Sequence, residues 1–202
     1  MAALSFADLG ESQRKQLLRV ARESIAHGFA HGRPRPLAPD ELTGVLASDG
    51  ASFVTLHRAG ALRGCVGSLE ARQPLAIDTA KAAFSAAFRD SRFPPLAASE
   101  FAGVEIEISV LSPMTRIDAG DRDELLQALR PQVDGLLLEE ARQRATFLPK
   151  VWEQLGDPRQ FLAALMRKAG LGEDYWSPTL RLFRYQTLCF DERTLKDNVR
   201  HA

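Results

Sequence analysis

The segment Leu62-Arg63-Gly64-Cys65-Val66-Gly67-Ser68 combines a thiol, a guanidinium group and two glycines. In an extended strand, residues two apart share a face, so Arg63 and Cys65 are predicted to point the same way. A guanidinium group beside a thiol favours the thiolate, which is the nucleophilic form of cysteine. Gly64 and Gly67 leave room for a ligand or another backbone to approach closely. The segment therefore predicts a small anion-tolerant pocket, with Cys65 as catalytic nucleophile and Arg63 as catalytic electrostatic clamp.

A nucleophilic cysteine needs a base unless its thiol is already activated, and the only nearby histidine in the sequence is His57. His57 belongs to the preceding strand of a predicted hairpin, where a shift of one residue in the pairing would move it to the other face. Four residues are predicted to bind the ligand, a small molecule or a peptide. They are Gly64, Gly67, Ser68 at the end of the segment, and Arg92, which two prolines could hold over the ligand.

The same residues also have structural interpretations. An unmodified cysteine is among the most buried residue types and packs as a small hydrophobic group. Gly64 and Gly67 would also suit a β-bulge or tight packing against an alanine-rich helix. Arg92 could form an ion pair with Glu105 or Glu107, which share the polar face of one strand. These two glutamates suit acid–base chemistry or simple solvation.

Metal and cofactor sites have weak sequence support. His27 and His31 have the i, i+4 spacing of a helical metal site, but no third ligand is evident, and Gly28 and Gly32 indicate a fraying helix end. The sequence has no pair of CxxC motifs, no P-loop and no dinucleotide-binding fingerprint. We therefore predict neither a metal nor a cofactor.

The elements that must position these residues alternate irregularly between helices and strands. Periodicity and turn residues predict four helices: over 12–29, after Pro74, over 121–129, and around Phe161 to the stop at Gly170. They also predict two hairpins, one over 52–58 with 62–68 and one over 135–139 with 145–148. A single strand is predicted over 104–110, and one long final strand over 179–190. This order predicts an α+β fold with a mostly antiparallel sheet flanked by helices.

The composition places further limits on function. The chain has 202 residues, of which 45% are hydrophobic, so it can form one sizeable domain or two interlocked subdomains. The 26 basic and 26 acidic side chains balance, which argues against nucleic-acid binding. No signal sequence and no membrane-spanning apolar run are evident, which predicts a cytoplasmic protein with no membrane association. Cys65 and Cys189 are expected to be reduced thiols, although one disulfide fits the count.

The segment 62–68 resembles the signature of the AMMECR family: leucine, arginine, glycine, cysteine, an aliphatic residue, glycine and a small polar residue. Further stretches are similar to the family in the same order: Asp90-Ser91-Arg92-Phe93-Pro94-Pro95, residues 104–113, Phe147-Leu148-Pro149 with Val151-Trp152, and Lys168-Ala169-Gly170-Leu171 with Trp176. The resemblance covers nearly the whole chain. It implies one domain over 1–202, built from a larger and a smaller subdomain.

The resemblance supplies candidate partners but no reaction. Bacterial and archaeal members of the family are often called AmmeMemoRadiSam system protein A, which implies genetic association with a Memo-type protein and a radical SAM enzyme. One hypothesis is an enzyme, or a component of one, that uses Cys65 beside Arg63. The alternative is a non-catalytic accessory protein that binds a protein partner through the surface of residues 63–68.

Overall fold

A computed structural model describes residues 4–193, which form two compact units: residues 4–112 with 188–193, and residues 113–187. The helices are α1 (Glu11–His31), α2 (Leu75–Phe88), α3 (Arg122–Ala128) and α4 (Pro158–Lys168). The strands are β1 (Ser52–Arg58), β2 (Ala61–Gly67), β3 (Val104–Leu111), β4 (Thr115–Ile117), β5 (Gly135–Glu140), β6 (Gln143–Phe147), β7 (Arg181–Tyr185) and β8 (Thr187–Asp191). The predicted α+β class with antiparallel sheets is confirmed.

The first unit packs α1 and α2 against a sheet of order β2-β1-β3-β8. Alternate residues of β3, from Val104 to Val110, are buried because successive side chains of a strand point to opposite faces. The alanines of α2 bring this helix close to the sheet. The turn between β1 and β2 contains Ala59 and Gly60, both with positive φ, as a two-residue hairpin turn requires.

The second unit has its own sheet, of order β4-β7-β5-β6, and its own core. Trp152 and Phe161 stack with ring centroids 3.7 Å apart, and both are almost fully buried. The apolar stripe of α4 ends near Gly170, whose positive φ terminates the helical segment. The predicted hairpin and helix of this region are confirmed, whereas the short strand β4 was not predicted from the sequence.

The prediction of one long final strand over 179–190 was wrong. The chain forms two strands here, separated by Gln186. β7 pairs with β4 and β5 in the second sheet, whereas β8 lies beside β3 in the first. The buried residues of β7, Leu182 and Tyr185, lie three positions apart, so the alternation expected of one continuous strand is already interrupted before Gln186. Among the described helices, none is long and apolar enough to cross a membrane.

Candidate active site

Cys65 lies on β2, an edge strand that contains a β-bulge. Thr55 of β1 pairs with Cys65, whereas His57 pairs with Leu62, so Arg63 is the extra residue of the bulge. A bulge leaves one residue without a cross-strand partner and changes the local direction of side chains. Arg63 and Cys65 were predicted to share a face because side chains alternate along a strand. The bulge at Arg63 interrupts that alternation between the two residues. His57 pairs with Leu62 and is two residues nearer the turn than Thr55, which pairs with Cys65.

The Cys65 thiol is half-buried and has a hydroxyl group beside it. Thr55 Oγ1 donates a hydrogen bond to Cys65 Sγ over 3.2 Å. The backbone of Cys65 is also held, because its N–H donates to Asp90 Oδ2 at 2.8 Å and its carbonyl accepts from Arg92 Nη2 at 3.1 Å. These contacts fix the cysteine backbone while its sulfur accepts a hydrogen bond from the neighbouring strand.

Asp90 connects the backbone of Cys65 to the side chain of Arg92. Its carboxylate accepts from Arg92 Nε at 2.9 Å and from Arg92 Nη2 at 2.7 Å, and only 6% of its side chain is exposed. The hydrogen bond from Arg92 is the main reason that the pKa of Asp90 is held well below its ordinary value; the Cys65 N–H acts in the same direction. Asp90 in turn raises the pKa of Arg92, with a smaller contribution from the Cys65 side chain. Arg92 is therefore the guanidinium group beside the thiol.

Arg63 was predicted to be beside the thiol but binds elsewhere. Its Nε and Nη2 donate to the two oxygens of Glu100 at 3.2 and 3.0 Å, and Nη2 also reaches the Pro95 carbonyl at 3.4 Å. Only 12% of the Arg63 side chain is exposed. The ion pair with Arg63 is the main cause that lowers the pKa of Glu100 to about 2. Arg63 therefore holds the loop after α2 against β2.

The two glycines of the motif allow close contact with neighbouring backbone. A Cβ atom on Gly64 would lie 2.2 Å from the carbonyl oxygen of Ala86 in α2. A Cβ atom on Gly67 would lie 2.3 Å from the carbonyl oxygen of Ser52 and 2.5 Å from the ring of Phe53. Both positions therefore accept the close approach of a neighbouring backbone, which is one of the uses that the sequence left open.

Ser68 belongs to a buried polar cluster that the sequence interpretation missed. Its hydroxyl donates to Asp78 Oδ1 at 2.7 Å, and Gln73 Nε2 donates to the same oxygen at 3.0 Å. The other oxygen, Oδ2, accepts from the backbone N–H and the hydroxyl of Ser52, each at 2.8 Å. Asp78 is 3% exposed. An aspartate among the alanines of α2 was the signal that could have revealed this cluster.

The ion pair predicted for Arg92 with Glu105 or Glu107 is wrong in its partner, because Arg92 binds Asp90. Glu105 instead pairs with Arg193. The reason is geometric: Asp90 lies two residues from Arg92 in the turn that binds the outer edge of β2, whereas Glu105 and Glu107 lie on β3, on the other side of β1.

The two histidines of α1 stack on each other, with ring centroids 3.9 Å apart, and His31 Nδ1 lies 3.1 Å from the carbonyl of His27. Within residues 4–193 no group of three or more metal-binding side chains occurs. The structure forms no disulfide between Cys65 and Cys189, as expected.

Fold and site together define a two-unit α+β protein that carries a cysteine on an edge strand beside an arginine–aspartate pair. The same fold occurs in the crystal structure of an uncharacterized protein from Pyrococcus horikoshii, with a TM-score of 0.80 and 32% sequence identity. The match covers 87% of this chain and 89% of that one.

A family model named AMMECR1 matches residues 18–190, and the chain belongs to this family. A protein from Methanothermobacter thermautotrophicus is 34% identical over 191 residues, which cover 94% of this chain and 99% of the relative. One from Methanopyrus kandleri is 33% identical over 189 residues, with 91% and 90% coverage. The predicted family resemblance is confirmed over nearly the whole described chain.

Proposed function

We propose that the protein is a thiol enzyme, or the thiol-bearing component of one, in which Cys65 attacks an electrophilic centre of a small molecule or peptide. The observation that carries this proposal is the hydrogen bond from the Thr55 hydroxyl to Cys65 Sγ, with Arg92 on the other side of the cysteine. A hydrogen-bond donor and a cation both stabilise a sulfur anion relative to the neutral thiol.

The roles of the surrounding residues follow from their contacts. The guanidinium group of Arg92 is about half exposed, so it can bind an anionic group of the substrate while Asp90 holds its other edge. Asp90 also fixes the Cys65 backbone, so the sulfur and the guanidinium keep a constant separation. Arg63 supports the loop that carries Arg92 through Glu100 and the Pro95 carbonyl. In this proposal Gly64, Gly67 and Ser68 shape β2 around the sulfur.

A covalent cycle consistent with this site begins with a thiolate. The sulfur forms a bond to the electrophilic carbon as the bond from that carbon to the leaving group breaks. The leaving group departs with the bonding electron pair and takes a proton from water. A second water then attacks the same carbon, the hydroxide left by the first step takes its proton, and the sulfur leaves as the regenerated thiolate.

The test is the rate of alkylation of native Cys65 by iodoacetamide, followed by intact mass with Cys189→Ser as background. We expect one adduct on the folded protein, located at Cys65 by peptide mapping and absent from Cys65→Ser. Thr55→Val keeps the side-chain shape but removes the donor, and it should slow the reaction. Labelling only after unfolding, or no effect of Thr55→Val, would contradict the proposal.

A second candidate function is partner binding through residues 63–68, for which the Memo-type and radical SAM proteins remain the predicted partners. The observation that favours it is Leu62, the residue just before this segment, which is one of the few large hydrophobic side chains exposed in the described chain, at 42%. Exposed apolar residues on an edge strand suit protein contacts. Binding measured with each purified partner should weaken on Leu62→Ser. Affinity unchanged in Leu62→Ser would contradict this second function.

A further inference from the structure

Arg92 uses only part of its hydrogen-bonding capacity within the protein. A guanidinium group has five N–H donors, one on Nε and two on each terminal nitrogen. The Nε donor binds Asp90 Oδ1 at 2.9 Å, and Nη2 binds Asp90 Oδ2 at 2.7 Å and the Cys65 carbonyl at 3.1 Å. Among residues 4–193, Nη1 has no hydrogen-bond acceptor, so two donors are available to a ligand.

The guanidinium group of Arg92 is held in position by its neighbours. Asp90 binds one edge, the Cys65 carbonyl accepts from Nη2, and the centre of the Phe93 ring lies 5.5 Å from the guanidinium carbon. The side chain nevertheless remains 53% exposed, which leaves it accessible to a ligand from solvent. A cation that is fixed before binding loses less conformational entropy when it binds an anion than a mobile arginine does.

The thiol and this guanidinium group are adjacent, and neither is fully buried. Arg92 binds the carbonyl of Cys65, which belongs to the same residue as the sulfur. Asp90 is the main cause of the raised pKa of Arg92, and the Cys65 side chain acts in the same direction. Cys65 is only half-buried. One small molecule can therefore contact both groups, with its anionic end one or two bonds from the carbon that the sulfur attacks.

A carboxylate on the opposite side of the thiol gives the ligand a direction. Cys65 pairs with Thr55, and Thr55 pairs with Glu107 of β3, so the three residues form a row on one face of the sheet. Because neighbouring strands are about 4.8 Å apart, the backbone of Glu107 lies roughly 10 Å from that of Cys65. An anionic ligand avoids this carboxylate by extending over the outer edge of β2, where Arg92 lies.

The charges around the thiol favour a ligand with a single negative charge. Arg92 already forms an ion pair with Asp90, and Arg63 binds Glu100 at two points. Phosphate groups are commonly recognised by clusters of arginines, whereas one guanidinium group suits one carboxylate.

We propose that the substrate of Cys65 carries a carboxylate on the reacting carbon or on the next carbon, and that Arg92 Nη1 binds this carboxylate. The inference rests on the thiol chemistry proposed above and names the class of substrate that this chemistry acts on. The substrate is thus a small carboxylic acid with an electrophilic carbon close to its acid group.

The probe is iodoacetate, whose carboxylate is attached to the reacting carbon, and its matched neutral analogue is iodoacetamide. With either reagent the thiolate forms a bond to the methylene carbon, the carbon–iodine bond breaks, and iodide leaves with the bonding electron pair. The ratio of the two rate constants therefore isolates the effect of the negative charge. We expect this ratio, iodoacetate over iodoacetamide, to be about fivefold or more higher for Cys65 than for the neutral thiol 2-mercaptoethanol.

Arg92→Gln should lower the ratio to that of 2-mercaptoethanol, because the variant lacks the cation. A disturbance of the loop alone would change both rate constants and leave their ratio. Arg58→Gln is the matched control and should keep the wild-type ratio, since Arg58 is an exposed arginine that binds Glu100. Added salt should also lower the ratio in the unsubstituted Arg92 protein, because it screens the attraction between exposed charges. All rate constants are measured in the Cys189→Ser background by intact mass.

The outcomes separate this inference from the proposed function. No labelling of native Cys65 by either reagent would overturn both. Labelling of the folded protein with the ratio of 2-mercaptoethanol would overturn the carboxylate preference alone and leave the thiol chemistry standing. A high ratio that neither Arg92→Gln nor added salt lowers would also overturn the role of Arg92.

Discussion

At the scale of single residues, Arg92 and Arg63 show how two arginines near one cysteine acquire different roles. Arg92 is about half exposed and is held by Asp90, whereas Arg63 is largely buried against Glu100. A half-exposed guanidinium group can still bind a ligand, but a buried one that already binds a carboxylate at two points has a structural role. The thiol chemistry of Cys65 should therefore depend on Arg92.

Replacing Arg92 tests this difference directly. We expect Arg92→Gln to slow alkylation of Cys65 by iodoacetamide severalfold at neutral pH, because the cation beside the sulfur is lost. Arg58→Gln is the matched control, since Arg58 is also an exposed arginine, and it binds Glu100. Equal rates for the two variants would show that Arg92 does not influence the thiol. The measurement is the second-order rate constant, in the Cys189→Ser background.

Acid should weaken the ion pair of Arg63 with Glu100. The pKa of Glu100 falls from 4.5 to about 2 in the folded protein, mainly because of its hydrogen bonds with Arg63. A carboxylate with a lowered folded pKa stabilises the protein above its unfolded pKa, and this contribution is lost as pH falls through the folded value. We expect the free energy of unfolding to decrease between pH 4.5 and about 2.

Glu100→Gln is the variant that isolates this contribution. It should be less stable than the wild type at neutral pH and should lose less stability in acid, as measured by urea unfolding at several pH values. Glu153→Gln, at an exposed position, is the control and should follow the wild-type curve. Parallel curves for Glu100→Gln and the wild type would contradict this assignment.

At the scale of elements, β2 is an edge strand whose outer side is covered by the loop after α2. Edge strands present backbone groups that can pair with other chains, and proteins commonly cover them. Asp90 and Arg92 bind the outward N–H and carbonyl of Cys65. The same loop therefore protects the edge and places a guanidinium group beside the thiol. On the face of the sheet that α2 covers, Gly64 allows the close approach of this helix.

Gly64→Ala should destabilise the first unit by about 1–3 kcal/mol, because overpacking forces the backbone to move. The new Cβ would lie 2.2 Å from the Ala86 carbonyl oxygen, an atom of a helix backbone that cannot move independently. Gly103→Ala is the control, since a Cβ there meets no atom within 4 Å. Both free energies of unfolding are measured by denaturant titration. A Gly64→Ala variant as stable as Gly103→Ala would show that α2 and β2 can separate at little cost.

At the scale of the whole molecule, each unit has its own sheet and its own hydrophobic core. The described chain leaves the first unit after Ser112 and returns to it at Leu188. The core of the second unit includes Trp152 and Phe161, together with Leu136 and Leu138 of β5. The candidate thiol site consequently belongs to the first unit, and it can be changed without altering the core residues of the second.

Phe161→Ala tests the core of the second unit. Phe161 is fully buried and stacks on Trp152, so its truncation should cost about 3–5 kcal/mol. We expect hydrogen exchange to accelerate in the amides of β5 and β7, which form the centre of that sheet. Arg159→Ala, an exposed change in the same helix, should leave their exchange rates unchanged. Unaltered protection in Phe161→Ala would mean that this ring contributes little to the core.

The sequence by itself determined most of the elements and the family. The alternation from Val104 to Val110, the glycine turn at Gly60 and the helix periodicity of α1 are local patterns, because each depends on residues a few positions apart. The motif around Cys65 was likewise visible as a continuous segment. Local patterns predicted the hairpin, but they could not reveal the bulge at Arg63, because a bulge depends on the pairing of two strands.

Only the tertiary structure decided which groups meet at the candidate site. Arg92 reaches the Cys65 carbonyl across 27 positions of sequence. The split of the final strand at Gln186 has the same origin, since β7 and β8 belong to different sheets and lie beside different strands. Such contacts arise when the cores pack and distant segments meet, so no periodicity along the chain records them.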